Sequence, residues 1–309
     1  MRCKNILIVE SPLQLINAIE AISFFKILDY KIYIRYSNVV SNDKQINKLL
    51  TILSVDNVKI KTFVISGGRK KLVDIVKIIF YWFLLGLKLK GVQKLFVGNY
   101  DSPFLKGITR LTKRNNIILL DDGAKTIELQ NNFSDHYSLD LFTMYDINNY
   151  SGQNIFINSF DYLRNKFDFV NTINQNSILF IGSKLVESGI VTEEYYLSLI
   201  DKISLSYSNF NIIYIPHRGE NSPKLEQISK IENISLTSLD YPVEFYGIYE
   251  KKLPNKIISF YSTALLSMKK LYPNLEIISC KFDYSSCEIV EELNELYDYY
   301  SKYLIIIEL

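Results

Sequence analysis

Short apolar runs rich in β-branched residues alternate with longer segments of helical periodicity in the first 120 residues. The first run, residues 5–10 (NILIVE), stops at Ser11-Pro12, as a buried parallel strand followed by a capped helix would. Repetition of this succession predicts βαβ units and a mostly parallel sheet with helices on both faces. The predicted strands are 5–10, 31–36, 58–65, 94–98 and 116–120, and the predicted helices are 13–28, 44–54, 70–89 and 102–112.

A second series of the same kind begins near residue 177, after a polar stretch around residues 145–176. Two consecutive doubly wound halves predict an α/β protein with two Rossmann-like domains facing each other across a cleft, residues 1–160 and 161–309. The terminal helix either stays with the second domain or crosses back onto the first. The predicted strands are 177–181, 211–215, 234–236 and 256–259, and the helices include 192–208, 264–272 and 288–303.

Composition and charge narrow the class of protein. The chain has 309 residues, 48% of them apolar, which suits two folded domains of about 150 residues each and excludes a disordered chain. Its net charge of +2, with acids and bases interspersed, argues against a dedicated nucleic-acid binder. No GxGxxG follows a strand and no P-loop motif occurs, so neither of these nucleotide-binding fingerprints is present.

The cysteines favour a reducing cytoplasm. Cys3, Cys280 and Cys287 form no CxxC pair and their number is odd, which argues against a disulfide framework or a zinc ribbon. We also expect no signal peptide, because the first residues run from a basic residue into a short strand and a polar turn.

The most apolar stretch, residues 75–89, has two interpretations. Only ten uncharged residues separate Lys77 from Lys88, about half of what a membrane-spanning helix requires, so a spanning helix is excluded. The favoured interpretation is a buried domain helix. The alternative is a helix lying on the inner face of the membrane, with basic residues on anionic lipid. Those basic residues are Arg69, Lys70, Lys71, Lys77, Lys88 and Lys90.

Ligands of open α/β sheets bind beyond the carboxyl ends of the strands, so the residues after each predicted strand are candidates for a site. Asp121-Asp122-Gly123 follows the strand 116–120. Because successive side chains alternate, one carboxylate can face a ligand as a general base while the other supports the loop. An ordinary Asp/Gly turn is the alternative.

His217 and Arg218 follow the strand 211–215. A charged imidazole beside a guanidinium would suit an anionic ligand such as phosphate. A histidine in a surface turn is the alternative. The other histidine of the chain, His136, is interpreted as a solvated loop residue.

Two further strand-to-helix turns carry hydroxyl or amide groups. Ser262 and Thr263 precede the helix 264–272, where hydroxyls and backbone N–H groups can bind an anion. Simple N-capping by Ser262 is the alternative. Ser11 and Gln14 open the helix after the first strand in the same way, again with a capping turn as the alternative.

In this order, the motifs resemble those of bacterial sialyltransferases, in particular the lipooligosaccharide sialyltransferases of glycosyltransferase family 52 and related capsule enzymes. These enzymes share an acidic pair followed by glycine, a His-Pro motif and a Ser/Thr pair on a two-domain GT-B fold. Arg218 stands where that family has proline, which leaves the subfamily and the linkage open. The matching segments are residues 11–14, 121–123, 216–220, 242–244 and 262–263.

The resemblance implies a GT-B enzyme that moves sialic acid from CMP-sialic acid to a terminal sugar, galactose by analogy with the family, of a surface glycan. It implies inversion, no metal and no other cofactor, with Asp122 as the base in an acceptor-binding first domain and His217 as a donor to the CMP phosphate. The remaining expected contacts are Ser262 and Thr263 to the phosphate, Glu244 to ribose or cytidine hydroxyls, and Arg218 (our own assignment) to phosphate or the sialic carboxylate. The acceptor side of the cleft is expected to contain Ser11, Gln14 and Asp121.

Two rival functions remain open at this stage. One is a GT-B transferase that uses another nucleotide sugar, such as CMP-Kdo. The other is an inactive GT-B domain that binds glycans or acts as a scaffold in capsule assembly. The sequence has no DxD motif and no His/carboxylate cluster at ligand spacing, in agreement with a metal-independent reaction.

Overall fold

The computed structural model describes residues 4–65, 72–98, 102–123, 126, 139–147, 153–167 and 172–309. The chain folds into two compact units. The first unit comprises Met1–Lys166 together with Asp240–Pro242, and the second comprises Phe167–Leu239 and Val243–Leu309. Residue 166 therefore ends the first long segment, where the sequence pattern had suggested a boundary at residue 160.

The sheet of the first unit has seven parallel strands in the order β3-β2-β1-β4-β5-β6-β7. The strands are β1 (Asn5–Val9), β2 (Tyr30–Tyr36), β3 (Ile60–Val64), β4 (Lys94–Val97), β5 (Ile117–Leu120), β6 (Asp140–Thr143) and β7 (Ile155–Ile157). The described helices are α1 (Pro12–Phe24), α2 (Val40–Ile52), α3 (Leu72–Leu89), α4 (Pro103–Thr109) and α5 (Asp161–Lys166), with 3-10 turns at Asn57–Lys59 and Arg114–Asn116.

The sheet of the second unit has six parallel strands in the order β10-β9-β8-β11-β12-β13. The strands are β8 (Ile173–Ile181), β9 (Asn211–Ile215), β10 (Ile234–Leu236), β11 (Leu253–Ser259), β12 (Glu276–Lys281) and β13 (Ile305–Glu308). The helices are α6 (Glu193–Ser206), α7 (Ser222–Ile228), α8 (Tyr246–Glu250), α9 (Ala264–Leu271) and α10 (Val290–Ser301), with a 3-10 turn at Val243–Phe245.

Each unit has the doubly wound strand order, in which the direction of growth reverses beside the first strand. Strand β1 is buried from Ile6 to Val9 because helices cover both faces of a parallel sheet. The same holds for the buried half of β8, Ser177 to Ile181. The predicted fold class, two Rossmann-like α/β domains, is confirmed.

Helix α10 packs on the sheet of its own unit. Leu293 and Tyr297 lie in the same apolar core as Ile278 of β12, and the Tyr297 hydroxyl donates to the backbone oxygen of Cys280 at 2.9 Å. Strand β13 then follows the helix. The terminal helix thus belongs to the second unit.

The sequence pattern located most of the strands but missed several short ones. Strand β7 and helix α5 fall in the stretch that had been interpreted as a polar separator, and β6, β12 and β13 had not been assigned. Strand β7 has three residues and none of them is fully buried, so neither its length nor its alternation distinguishes it from a loop. His136 lies outside the described residues, as do Arg69, Lys70 and Lys71.

Helix α3 is buried on one side only. Leu85 and Leu89 pack into the core of the first unit, whereas Val76, Phe80 and Phe83 are exposed. The prediction of a buried domain helix therefore holds for only one face of α3. Among the described residues, no helix is long and apolar enough to cross a membrane.

Candidate functional site

Each sheet has one topological switch point, where ligands of doubly wound folds bind beyond the strand ends. In the first unit this point lies between β1 and β4, and in the second between β8 and β11. Most of the candidate side chains follow strands at or beside these two points.

In the first unit, Gln14 joins the end of β1 to the end of β5. Its side-chain oxygen accepts from the backbone N–H of Glu10 at 2.8 Å, and its side-chain nitrogen donates to Oδ1 of Asp122 at 2.7 Å. Gln14 itself is 1% exposed. A buried amide that is bonded at both ends has little rotational freedom, so Gln14 fixes the orientation of the Asp122 carboxylate.

The two adjacent aspartates have different surroundings. Asp121 is fully buried, and its Oδ2 accepts from the backbone N–H of Met144 at 2.7 Å, after β6. Asp122 is half-buried, and the following Gly123 has a positive φ of 71°. Asp121 thus ties two strand ends together, and Asp122 is the carboxylate that a ligand can reach.

Gly98 shapes the packing around Gln14. A Cβ atom at Gly98, directly after β4, would lie 2.2 Å from the side-chain Cδ of Gln14. Such a distance is far below contact distance, so any larger residue would displace the amide from Asp122. This glycine carried no signal in the sequence analysis, because its role depends on a strand and a helix that are distant in sequence.

Glu10 was not among the predicted site residues, but the structure places it beside them. Its carboxylate is 7% exposed, contacts Arg35 at 2.8 Å and accepts from the Ser102 hydroxyl at 3.2 Å. Burial raises the pKa of Glu10 to about 7, against the lowering effect of Arg35 and Ser102. The parallel register of β1 and β2 pairs Val9 with Ile34, so Glu10 and Arg35 are the next residues on neighbouring strands. The sequence signal that could have identified this pair was a carboxylate and an arginine near the ends of two consecutive predicted strands, 5–10 and 31–36.

Ser11 acts as the N-cap of helix α1. Its extended backbone and its hydroxyl, which accepts from the Gln14 N–H at 3.3 Å, are those of an ordinary capping residue. The structure therefore places Ser11 close to Gln14 and assigns it a local structural contact.

In the second unit, His217 follows β9 and is half-buried. The backbone N–H of Gly219 donates to its Nδ1 at 3.0 Å, so the proton of a neutral imidazole lies on Nε2. Burial lowers the pKa of His217 to about 4, and the charges of Arg218 and Lys184 act in the same direction. At neutral pH the side chain is thus an uncharged N–H donor, and the charged imidazole expected from the sequence is corrected.

A buried network beneath the turn holds His217 in place. The Glu220 carboxylate accepts from the His217 backbone N–H at 2.5 Å and from the Tyr214 hydroxyl at 2.6 Å. Lys224, which is fully buried, contacts Glu220 at 3.0 Å and lies 4.2 Å from the ring centre of Tyr196. This ion pair with its hydrogen bonds fixes the conformation of residues 216–220.

Ser262 and Thr263 lie between β11 and helix α9 and are half-buried. Thr263 is the N-cap position but makes no side-chain capping bond, while the Ser262 hydroxyl accepts from the Ala264 N–H at 3.4 Å. The N-terminal turn of α9 therefore presents two hydroxyls at the end of a switch-point strand. Arg218 is exposed, in the turn after β9.

Glu244, the residue assigned by resemblance to ribose or cytidine hydroxyls, is buried in the second unit. It is 6% exposed, and its Oε1 accepts from the Ser267 hydroxyl at 2.8 Å. Burial raises the pKa of Glu244. The contact that the structure shows is thus with helix α9, and a contact with a ribose or cytidine hydroxyl stays a prediction.

No group of three or more His, Cys, Asp or Glu side chains that could hold a metal ion occurs within the part of the chain that the structure describes. The candidate residues offer carboxylate, imidazole, hydroxyl and guanidinium groups, which suit proton transfer and phosphate binding.

Comparison with known protein families gives a match over part of the chain. Residues 146–281 match the alpha-2,8-polysialyltransferase family. The matched segment, less than half of the chain, contains His217, Arg218, Glu244, Ser262 and Thr263 but neither Gln14 nor Asp122. No curated protein sequence matches the chain.

Solved structures with the same fold are distant in sequence. The Staphylococcus aureus MnaA–UDP complex is 14% identical with a TM-score of 0.59, over 97% of this chain and 87% of that one. The Methanocaldococcus jannaschii UDP-GlcNAc 2-epimerase complex is 15% identical with a TM-score of 0.59, over 97% and 92%. A UDP-glucosyltransferase from Polygonum tinctorium is 9% identical with a TM-score of 0.51, over 100% and 85%.

The two parallel-sheet units and these likenesses show a GT-B architecture. The fold and the family match together support a glycosyltransferase, and the matched family supports a sialyltransferase in particular. The assignment to family 52 that the motifs suggested is not confirmed by the match.

Proposed function

We propose that the protein transfers sialic acid from CMP-sialic acid to a terminal sugar, galactose in the first instance, of a bacterial lipooligosaccharide or capsule glycan. The observation that carries the proposal is the sialyltransferase-family match over the segment that contains His217, Ser262 and Thr263. Those residues lie at strand ends of one doubly wound sheet, where such folds bind nucleotides.

On the donor side, CMP leaves as the bond between the anomeric carbon and the phosphate oxygen breaks. Negative charge then develops on the phosphate, and positive charge on the sialic acid ring. The Nε2–H of neutral His217 donates to the phosphate, and it can do so at neutral pH because Nδ1 is already engaged by Gly219. Ser262 and Thr263 hold the same phosphate, and Arg218 supplies a positive charge to the phosphate or the sialic carboxylate.

On the acceptor side, Asp122 takes the proton of the attacking hydroxyl as the new bond to the anomeric carbon forms. Gln14 donates to its carboxylate and holds it in one orientation. The base therefore loses less conformational freedom when it takes the proton. Asp121 and Ser11 support the two turns that carry these groups. A single displacement of this kind inverts the anomeric centre.

The proposed reaction needs no metal and no other cofactor, because protein donors carry the charge of the leaving phosphate. We further propose that Glu244 contributes to binding of the nucleoside, and that the protein acts in the cytoplasm. The free cysteines Cys280 and Cys287 support a reducing compartment.

The test is CMP release from CMP-sialic acid, with and without lactose or N-acetyllactosamine. We expect acceptor-dependent release by the wild-type chain and a loss of about 10³-fold for Asp122→Asn, which keeps the shape but removes the base. Asp56→Asn is the matched control, since Asp56 is an exposed carboxylate that bonds only to a local backbone N–H among the described contacts. This control should retain full activity.

Other outcomes separate the rival functions. Release of CMP from CMP-Kdo but not from CMP-sialic acid would identify Kdo as the donor sugar and leave the proposed roles of Asp122 and His217 intact. Binding of CMP without turnover across galactosyl acceptors, by folded protein, would favour the inactive glycan-binding domain. Activity that EDTA abolishes and Mg²⁺ restores would overturn the metal-independent mechanism.

A further inference from the structure

Helix α3 presents an unusually apolar face to solvent. Its outward side chains include Val76, Ile79, Phe80, Phe83 and Leu87, with exposed fractions between 46% and 65%. Their spacing of three and four residues places them on one side of the helix. From Val76 to Leu87 this stripe extends about 17 Å along the axis. We name these five residues the α3 face.

The orientation of this face is set by the core and does not depend on a partner. The opposite side of the helix buries Leu85 and Leu89. The indole nitrogen of Trp82 donates to the backbone oxygen of Phe104 at 2.9 Å, and a Cβ at Gly107 would lie 2.3 Å from the indole ring. Helix α3 is thus tightly seated on α4, and the α3 face cannot turn inward.

A neighbouring residue extends the apolar surface beyond the helix. Leu111, after α4, is 51% exposed, and a Cβ at Gly86 would lie 3.2 Å from its Cδ1. Leu111 thus lies beside helix α3 and adds a sixth large exposed apolar side chain to this part of the surface. Patches of this kind on a folded protein mark an interaction surface.

Basic residues predominate in the two segments that carry the patch. Residues 75–90 contain three lysines and no acidic residue, and residues 103–116 contain two lysines, two arginines and no acidic residue. Lys77 and Lys90 of the first segment are exposed, as are Arg110 and Lys113 of the second. Basic side chains thus flank the apolar patch on both segments.

We propose that the α3 face docks on a lipid bilayer that contains anionic lipid. Apolar side chains inserted to about 5–10 Å, with lysines and arginines at headgroup level, are the arrangement of interfacial helices. The exposed basic side chains that flank the patch favour this occupant over a second copy of the chain, because apposed copies would bring these like charges together. The docking would hold the enzyme at the surface where lipid-linked acceptors are found, but it does not depend on the proposed reaction.

Vesicle co-sedimentation tests the proposal without any substrate. The full chain is mixed with phosphatidylcholine vesicles, either pure or with about 30% of the anionic lipid phosphatidylglycerol. We expect binding to the anionic vesicles, weaker binding to neutral ones, and a loss of about tenfold or more for Phe80→Ser with Phe83→Ser. Because both side chains are exposed, the variant should keep the wild-type Tm, which is measured alongside.

Control variants distinguish binding through the α3 face from non-specific binding of the protein to vesicles. Val58→Ser with Leu205→Ser removes two apolar side chains elsewhere that are even more exposed than Phe80 and Phe83, and it should bind like the wild type. Lys77→Glu with Lys90→Glu should weaken binding to anionic vesicles at low salt, whereas Lys230→Glu with Lys252→Glu should not.

Three results would overturn the proposal. The first is wild-type protein that stays in the supernatant with anionic vesicles. The second is a Phe80/Phe83 variant that binds as well as the wild type. The third is a wild-type dimer in sedimentation velocity that this variant dissociates, without vesicle binding, which would assign the α3 face to a contact between copies.

Discussion

The two units share one fold, but different kinds of side chain follow the strands near the switch point of each sheet. Both sheets are parallel and doubly wound, and in both the polar groups follow strands at or beside the switch point. The first unit gathers carboxylates there, Glu10, Asp121 and Asp122, whereas the second gathers an imidazole, hydroxyls and basic side chains. The fold therefore fixes where a site lies, and the residues after the strands decide what it does.

The two sets are also held by different forces. In the first unit a neutral amide, Gln14, bridges two strand ends through hydrogen bonds. In the second a fully buried ion pair between Lys224 and Glu220 holds the turn of His217. Removing one partner of a buried ion pair leaves an uncompensated buried charge and costs more than removing hydrogen bonds made by an uncharged side chain, so the two units should respond differently to single substitutions.

The largest expected effect is on the stability of the second unit. Lys224→Met leaves the buried Glu220 carboxylate without its cation and should lower the free energy of unfolding by about 3–5 kcal/mol. Urea denaturation measures this loss. Lys281→Met is the matched control, because Lys281 pairs with Glu308 at the surface and should cost about 0–1 kcal/mol. A Lys224→Met loss as small as that of the control would mean that the ion pair does not hold the turn.

The next largest effects are on turnover and CMP binding, and they test the division of roles between the units. His217→Ala should lower turnover by about 10²–10³-fold and weaken CMP binding, because it removes the Nε2–H donor to the phosphate. Asp122→Asn should lower turnover while CMP affinity in calorimetry stays at the wild-type value. Equal weakening of CMP binding by both variants would contradict the assignment of donor and acceptor sides.

The pH dependence of stability should have opposite signs in the two units. The pKa of Glu10 is raised to about 7, so its contribution to stability is complete below about pH 4.5 and is lost as pH rises through 7, on the order of 3 kcal/mol. The pKa of His217 is lowered to about 4, so its contribution is complete above pH 6.5 and is lost as pH falls toward 4.

Urea denaturation between pH 4 and pH 8 checks this contrast. Glu10→Gln should remove the loss at rising pH, and His217→Gln should remove the loss at falling pH. Unchanged pH profiles in both variants would show that neither group titrates at these shifted values in the folded protein.

The smallest expected effect belongs to Gln14. Gln14→Met keeps the volume but removes both hydrogen bonds, and turnover should fall about tenfold with CMP affinity unchanged. Because Gln14 acts through Asp122, the acidic limb of the pH–rate profile should also move to higher pH, as the carboxylate loses a donor that stabilises its charged form. A tenfold loss without that movement would indicate only a structural role.

The sequence alone determined the two α/β halves and most of their strands. Continuous apolar runs such as residues 6–9 and 178–181 are buried, and a short run of this kind bounded by turn residues is typical of a strand covered on both faces of a parallel sheet. The pattern also directed attention to the strand ends, and so to Asp122 and His217. These features depend on residues that are close together in the sequence, so they can be predicted from the sequence alone.

Only the tertiary structure decided how those residues differ and what supports them. It distinguished the buried Asp121 from the reachable Asp122, added Glu10 with Arg35, and showed that the backbone N–H of Gly219 donates to Nδ1 of His217. It also showed that helix α3 buries one side and exposes the other, although both sides are apolar in sequence. Such differences depend on which distant segments meet, because burial and hydrogen bonding are set by neighbours in space, and a sequence lists only neighbours along the chain.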